Sequence, residues 1–459
     1  MSLRNVFASS LLGLTLVYPL FAVAADNDEL PQLREEIKQV RETYEARIQS
    51  LEKRLKEVEQ NKEQARVPSP EAAVAAVSAS SATRSNTFNP DIALILSGNY
   101  SHLQRDPDSY RISGFQPGGE IGPGGRGFSL AETELALSAH IDPYFSGLAV
   151  LSVAPDDSIS VEEGFVQTTA LSHGLTAKAG RFFSGIGYLN EHHAHTWDFV
   201  DNPLAYQAFL GGQFGTDGVQ VKWVAPTDTY LELGGEAGRG GNFPGSERNS
   251  NDAGAYSLFA HTGGDVGVSH SWRAGLSWLH AAPRDREYSD TDVTGTEVRN
   301  SFGGDSDLVI ADFIWKYAPS GNPSVTNFKL QGEYFRRRED GTLIYDLDSA
   351  SLGTQAGDYS STQSGFYLQG VYQFMPRWRV GLRGDWLDVG RVNYGANSST
   401  LLTPDHNPSR YTLMMDYSPS EFSRLRIQFA HDKARAEETD NQLYLQYIMS
   451  LGAHGAHIF

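Results

Sequence analysis

The chain has 459 residues, of which 40% are hydrophobic, with 46 Gly, 21 Tyr, 23 Phe and 7 Trp; this composition suits many short strands and turns and argues against apolar membrane helices. The absence of cysteine excludes disulfide frameworks, thiolate metal sites, cysteine nucleophiles and a lipid-modified cysteine. A formal net charge of -19 excludes nucleic acid as a partner, because a phosphate backbone needs a basic footprint.

In chain order, residues 1-24 read as a signal peptide: Arg4 precedes an apolar run from Val6 to Val23, and Ala22-Val23-Ala24 offers a small-x-small cleavage pattern. The alternative is a retained membrane helix, against which stand Pro19 and the acidic residues beginning at Asp26. Residues 26-66 follow as a periplasmic coiled coil. Leu30, Leu33, Ile37, Val40, Tyr44, Ile48, Leu51, Leu55 and Val58 form a heptad seam with one four-residue stutter between Tyr44 and Ile48. A lone amphipathic helix lying on the body of the protein is the other reading of this stretch. Residues 67-88, rich in Pro, Ala and Ser, form a linker.

From residue 89 to 459 the period is two. Val219, Val221 and Trp223 alternate with Gln220 and Lys222, and Leu425, Ile427 and Phe429 bracket Arg426 and Gln428. A soluble sandwich shows the same alternation, so the connections decide. Sixteen strands are predicted near 91-103, 128-141, 145-153, 158-170, 174-183, 217-225, 228-237, 254-262, 266-280, 305-318, 326-337, 363-374, 377-390, 408-418, 422-433 and 440-459. Long connections at 104-127, 183-216, 281-304, 338-362 and 391-407 all follow odd-numbered strands, whereas short turns such as Pro376-Arg377 follow even-numbered ones. That parity predicts an all-β, 16-stranded antiparallel transmembrane β-barrel in the outer membrane of a Gram-negative cell. Aromatic residues such as Tyr144, Trp223, Tyr317, Trp378 and Phe422 gather on the short-turn side as an interfacial girdle, and the chain ends on Phe459 in the manner of strands recognised for barrel assembly.

The export signal, coiled coil, linker and strand count together resemble the phosphate-selective porin superfamily, which implies a homotrimer whose barrels each carry a pore. A narrower resemblance covers Gly180-Arg181-Phe182-Phe183, Leu189-Asn190, His193-Ala194-His195, Trp197-Asp198-Phe199-Val200-Asp201 and Pro203-Leu204. With the closing Ser450-Leu451-Gly452-Ala453-His454-Gly455-Ala456-His457, these are similar to proteobacterial barrels described as zinc-regulated or TonB-dependent-receptor-like.

A sixteen-stranded lumen holds water, so selectivity needs chain folded inward. Residues 183-216, with Trp197, Phe199, Leu204, Tyr206, Phe209 and Leu210 seeking an apolar partner, are expected to be that constriction. Parity places Glu132, Glu134 and Glu162 on one inner wall and Arg273, Lys316, Lys329, Arg379, Arg383, Arg424 and Arg426 on the other, a transverse field across the water. The expected constriction is Glu191, Asp198 and Asp201 from the loop facing Arg379, Arg383, Arg424 and Arg426. No G-x-S-x-G, H-E-x-x-H or G-x-x-x-x-G-K motif supports an enzyme. Two functional readings follow. One is passive diffusion of small hydrophilic solutes through a barrel held in outer-membrane lipid, with no cofactor. The other is a zinc-linked uptake or binding barrel without a plug, with His192, His193, His195 and Asp198 as ligands and extended backbone aiming His193 and His195 to one side. Hydrogen bonding of the same histidines to the barrel wall is the plainer account of them.

Overall fold

The computed structural model describes residues 90–452 apart from 120, 132, 155–157 and 437. The signal peptide, coiled coil, linker, Glu132, His454, His457 and Phe459 lie outside the described residues. The strands are β1 (Asp91–Leu103), β2 (Gly127–Leu130), β3 (Thr133–His140), β4 (Phe145–Val153), β5 (Ile159–Thr168), β6 (Leu175–Phe183), β7 (Gly215–Val224), β8 (Tyr230–Gly238) and β9 (Ala255–Val266). They continue as β10 (His270–Ala281), β11 (Arg286–Thr291), β12 (Glu297–Tyr317), β13 (Asn327–Tyr345), β14 (Gln355–Met375), β15 (Trp378–Asn393), β16 (Ser409–Ser420), β17 (Ser423–Lys433) and β18 (Asp440–Gly452).

Two of these segments continue a neighbour. Both β2 and β3 pair with β1, and both β10 and β11 pair with β12, so the eighteen segments build sixteen staves. Every pairing is antiparallel, and β18 returns to pair with β1 from Ala93 opposite Gly452 to Leu103 opposite Gln442. Among the described strands, closure leaves no unpaired edge.

The pattern of burial is that of a soluble protein turned inside out. On β17, Arg424, Arg426 and Gln428 are buried while Leu425, Ile427 and Phe429 are exposed. On β14, Tyr367 and Gln369 are buried while Phe366 and Leu368 are exposed. An apolar exterior around a polar interior is stable only where the exterior meets hydrocarbon, which rules out the sandwich and makes this a membrane barrel. Among the described residues no helix is long and apolar enough to cross a membrane.

Residues 281-304 and 338-362, expected as long connections, are instead mostly strand. The ladders of β12, β13 and β14 run on for 21, 19 and 21 residues. The sign of the alternation reverses along β12: Val298 and Phe302 point in with Glu297 and Arg299 out, whereas lower down Asp312 points in with Val309 and Phe313 out. The upper part therefore obeys the rule for water outside, and a search for a greasy outer face passes over it. Val298, Phe302, Leu343, Tyr345, Tyr359 and Leu401 form a core there, and Arg299 pairs with Glu287 and Asp348 on its wet face.

The chain between β6 and β7 turns into the barrel. Its one α-helix, α1 (Leu204–Leu210), has all seven residues buried. Leu204, Phe209 and Leu210 pack with Phe259, Leu308, Ile310 and Phe335 of the wall and with Ile112 and Phe115 of the connection between β1 and β2. The wall also caps the helix, since the Leu204 amide donates to Asp385 at 2.9 Å. Gly211 ends α1 in the left-handed region, φ 65°, where Cβ is costly. Gly119 lies so near that a Cβ on it would come within 2.1 Å of the Gly211 carbonyl oxygen.

Candidate functional site

The inward segment is anchored on two different walls. On the wall of β13 and β15 to β17, Asp198 pairs with Lys329 and, at 3.2 Å, with Arg379. Asp201 meets Arg410 at 2.6 Å and Arg383 at 2.9 Å, and accepts from the Gln428 amide at 2.8 Å. Arg424 and Arg426 both donate to the Trp197 carbonyl, at 2.9 and 2.6 Å. Burial by itself would raise both loop carboxyls, but the surrounding Lys329 and Arg379 for Asp198, and Arg410 and Arg383 for Asp201, hold them below the usual range. On β13, Glu333 accepts from the Tyr206 hydroxyl and from the amides of Tyr188 and Leu189.

These contacts revise the expected transverse field. Arg379 and Arg383 do not face open water across from the loop; they are paired with its carboxylates and with Asp416 and Asp385 of the wall. Asp198 and Asp201 are correspondingly anchors rather than free lumenal charges. Of the three acids expected at the constriction, Glu191 alone is exposed, 3.8 Å from Lys222.

The opposite wall, β3 and β5, is acidic. Between β4 and β5 the register slips, Val150 facing Glu163 but Leu151 facing Val161, so Glu162 has no partner residue in the ladder. Such a bulge aims adjacent side chains to one side, which a strict two-residue period forbids. His193 Nδ1 lies 3.4 Å from Glu134 Oε2 and 3.3 Å from Glu162 Oε2, while its Nε2 lies 3.0 Å from Glu163 Oε2. His195 Nδ1 is 2.8 Å from Glu134 Oε1. Burial would lower the His193 pKa, but the glutamates around it raise it well above the ordinary value.

Of the four expected metal ligands, His193 and His195 stay together, whereas His192 and Asp198 are drawn away. Backbone between His193 and Trp197 is a 3-10 turn over Ala194–Thr196, not extended, yet the rings of His193 and His195 stack with centroids 5.8 Å apart. His192 turns away, its ring 4.7 Å from that of Tyr188 and its carbonyl accepting from the Trp197 indole at 2.7 Å. Burial pushes the His192 pKa down to about 4. Asp198 is held by Lys329 and Arg379, on the other wall.

The chain is 33% identical over 399 residues to an uncharacterized protein of Aquifex aeolicus (strain VF5), a match covering 81% of this chain and 80% of that protein. The two belong to one family. No family model matches the chain. Among solved structures it is similar to outer-membrane expressed OmpT of Vibrio cholerae, with a TM-score of 0.50 at 12% identity, covering 80% of this chain and 99% of that one. An anion-selective porin from Comamonas acidovorans gives a TM-score of 0.47 at 12% identity over 79% and 99% of the two chains. The likeness to OmpT is one of fold, that of an outer-membrane β-barrel.

Among the described residues, cavities lie at successive levels of the barrel. On the long-connection side, Arg111, Tyr288, Tyr359, Tyr394 and His406 line about 340 Å³. Below it, Glu162, Trp197, Asp201, Gly211 and Tyr444 line about 630 Å³ between the inward segment and the wall. Towards the short-turn side, Ile92, Ala93, Glu134, His193 and His195 line about 180 Å³. Glu162 belongs to the middle space and Glu134 to the lower, so the His193 cluster stands between them. Sequence parity missed Glu163, because only the bulge turns it inward; the doubled acid before Gly164 was its signal. Arg410 shares the inward parity of Thr412 and Asp416 and was legible by the same rule as Arg426.

Proposed function

We propose that the protein is an outer-membrane porin for passive diffusion of small hydrophilic solutes, narrowed by residues 184–214. The observation that carries this reading is a polar interior partly filled by one segment that leaves a space of about 630 Å³ beside it. A ligand-binding barrel would close around its ligand; here the residual space is lined by Asn99, Glu162, Asp201, Asn202, Gln213 and glycine backbone, which suit a hydrated solute. Pairing of Asp198 and Asp201 with the basic wall removes most of the field that would select one sign of charge, so selectivity is weak. The long-connection side faces outward from the cell and the short turns face the periplasm. In the membrane the protein is a homotrimer, and light scattering in mild detergent that gave a monomer would refute this. The channel itself is tested in planar bilayers. Ohmic, weakly selective steps are expected, and a barrel that conducts nothing after reconstitution would overturn the reading.

A further inference from the structure

We propose that Glu134, Glu162 and His193 form a binding site for a borderline divalent metal ion of the zinc class, seated between the barrel wall and the inward segment. One donor atom from each of these three residues lies within 4.8 Å of the other two. Two of the separations, 3.3 and 3.4 Å from His193 Nδ1 to the glutamate oxygens, match the edge of a tetrahedron whose centre lies about 2.0–2.1 Å from each ligand, the bond length of zinc to nitrogen and carboxylate oxygen. A small movement of side chains suffices to seat an ion there.

A second observation is burial. His193 Nδ1 and Glu162 Oε2 are both buried and face each other at ion-pair distance, 3.3 Å, without forming a hydrogen bond. Two buried polar atoms left in this state carry a desolvation cost that coordination of a shared cation removes. The surrounding groups are arranged as the outer partners of a metal site are. Glu163 holds His193 through the other ring nitrogen, Nε2, and leaves Nδ1 for the ion; this is the carboxylate–histidine–metal arrangement. His195 holds Glu134 through Oε1 at 2.8 Å and so fixes the carboxylate beside His193.

Charge points the same way. Three carboxylates converge on His193, and among the described residues neither Glu162 nor Glu163 has a Lys or Arg within ion-pair distance. Of the two cations on β6, Lys178 lies instead over the rings of Phe165 and Phe182 at 4.5 and 5.3 Å, and Arg181 pairs with Asp217 at 2.6 Å. A dication offsets this excess of negative charge, and the imidazole favours zinc-class ions over calcium or magnesium, which prefer all-oxygen sites. The fourth position opens on the cavities above and below, where water can complete the shell.

Binding is tested on the full-length protein in detergent, stripped with a chelator and titrated with zinc by calorimetry near neutral pH, so the result does not depend on whether the barrel conducts. Saturable binding of one zinc per chain is expected. His193→Ala should abolish it, and the nearly isosteric Glu162→Gln, which preserves the fold, should weaken it at least tenfold. Glu163→Gln should weaken it by about 10–100-fold through loss of the outer partner. His192→Ala, outside the cluster, should leave affinity within about twofold of the parent, because its ring faces Tyr188. Absence of saturable binding by the parent, or equal binding by Glu162→Gln, would overturn the proposal.

Discussion

Excision of the inward segment gives the most direct measure of how far it narrows the barrel. Sixteen staves about 4.8 Å apart, tilted by about 40°, close into a backbone cylinder of radius about 16 Å. Inward side chains occupy about 5 Å, half the spacing of packed sheets, which leaves a free radius of about 11 Å and a cross-section of about 380 Å². With the segment in place, the middle space is about 630 Å³. Spread over the roughly 10 Å depth of one helix layer, it offers about 60 Å². Conductance scales with the narrowest area, so replacing residues 186–213 by a short Gly-Ser link should raise it by up to about sixfold, and by about threefold if the connection between β1 and β2 still fills part of the lumen. Phe183 and Gly215 are paired across β6 and β7, so a short link spans the gap. Single-channel recording in planar bilayers is the assay, with heat-modifiable gel migration confirming that the barrel has closed. A rise of less than about twofold in a closed barrel would refute the reasoning.

Other outcomes follow from the anchors. Asp201→Asn leaves Arg383 and Arg410 short of one partner and should cost about 3–5 kcal/mol in denaturant unfolding of the barrel, since breaking a buried pair strands the remaining charge; a loss under about 1 kcal/mol would mean that the pairing is idle. Asp198→Asn combined with Asp201→Asn leaves the basic wall without its loop carboxylates and should move the reversal potential towards anion selectivity; an unchanged potential would show that this wall does not border the solute path. The carboxyls of Asp198 and Asp201 titrate below their ordinary range, so their contribution is complete above the unfolded value of about 3.9 and is lost as pH falls through the lower native values. Protection of residues 184–214 from protease should therefore be flat from about pH 7 to 5 and decline only below about pH 4. A midpoint near pH 6 would assign the anchoring to other groups.

Much of the barrel was legible because lipid imposes a strong rule on sequence. Leu425, Ile427 and Phe429 could face only outward once Arg426 and Gln428 were taken to face water, and the parity of connection lengths ordered the staves. The rule failed where its physical cause stopped. Above the membrane, Glu297 and Arg299 replace apolar residues on the outer face of β12, and the strand was taken for loop. The site was legible in residue type but not in partnership. Adjacent histidines look alike in sequence, yet a 3-10 turn sends His193 to the glutamates and leaves His192 against Tyr188. Likewise parity sorted the inner-wall charges by sign, while the segment whose carboxylates pair with the basic wall could be placed only in three dimensions.

The position of the anchors relative to the junction of β1 and β18 has a mechanical consequence. Among the described strands this is the contact that joins the two ends of the barrel sequence, held along its ladder by main-chain bonds and by the Gln446 amide donating to Ser97 at 3.5 Å. His193 and His195 grip β3 and β5 on one flank of it, and Asp198 and Asp201 grip β15, β16 and β17 on the other. Residues 193–201 are thus an internal latch across the zip of the cylinder. Prising β1 from β18 would stretch the latch, so sideways opening into the lipid must break ion pairs inside the lumen as well as the ladder itself. During assembly the segment can engage both flanks only as the cylinder closes, which makes its docking and the joining of the ends a single cooperative event.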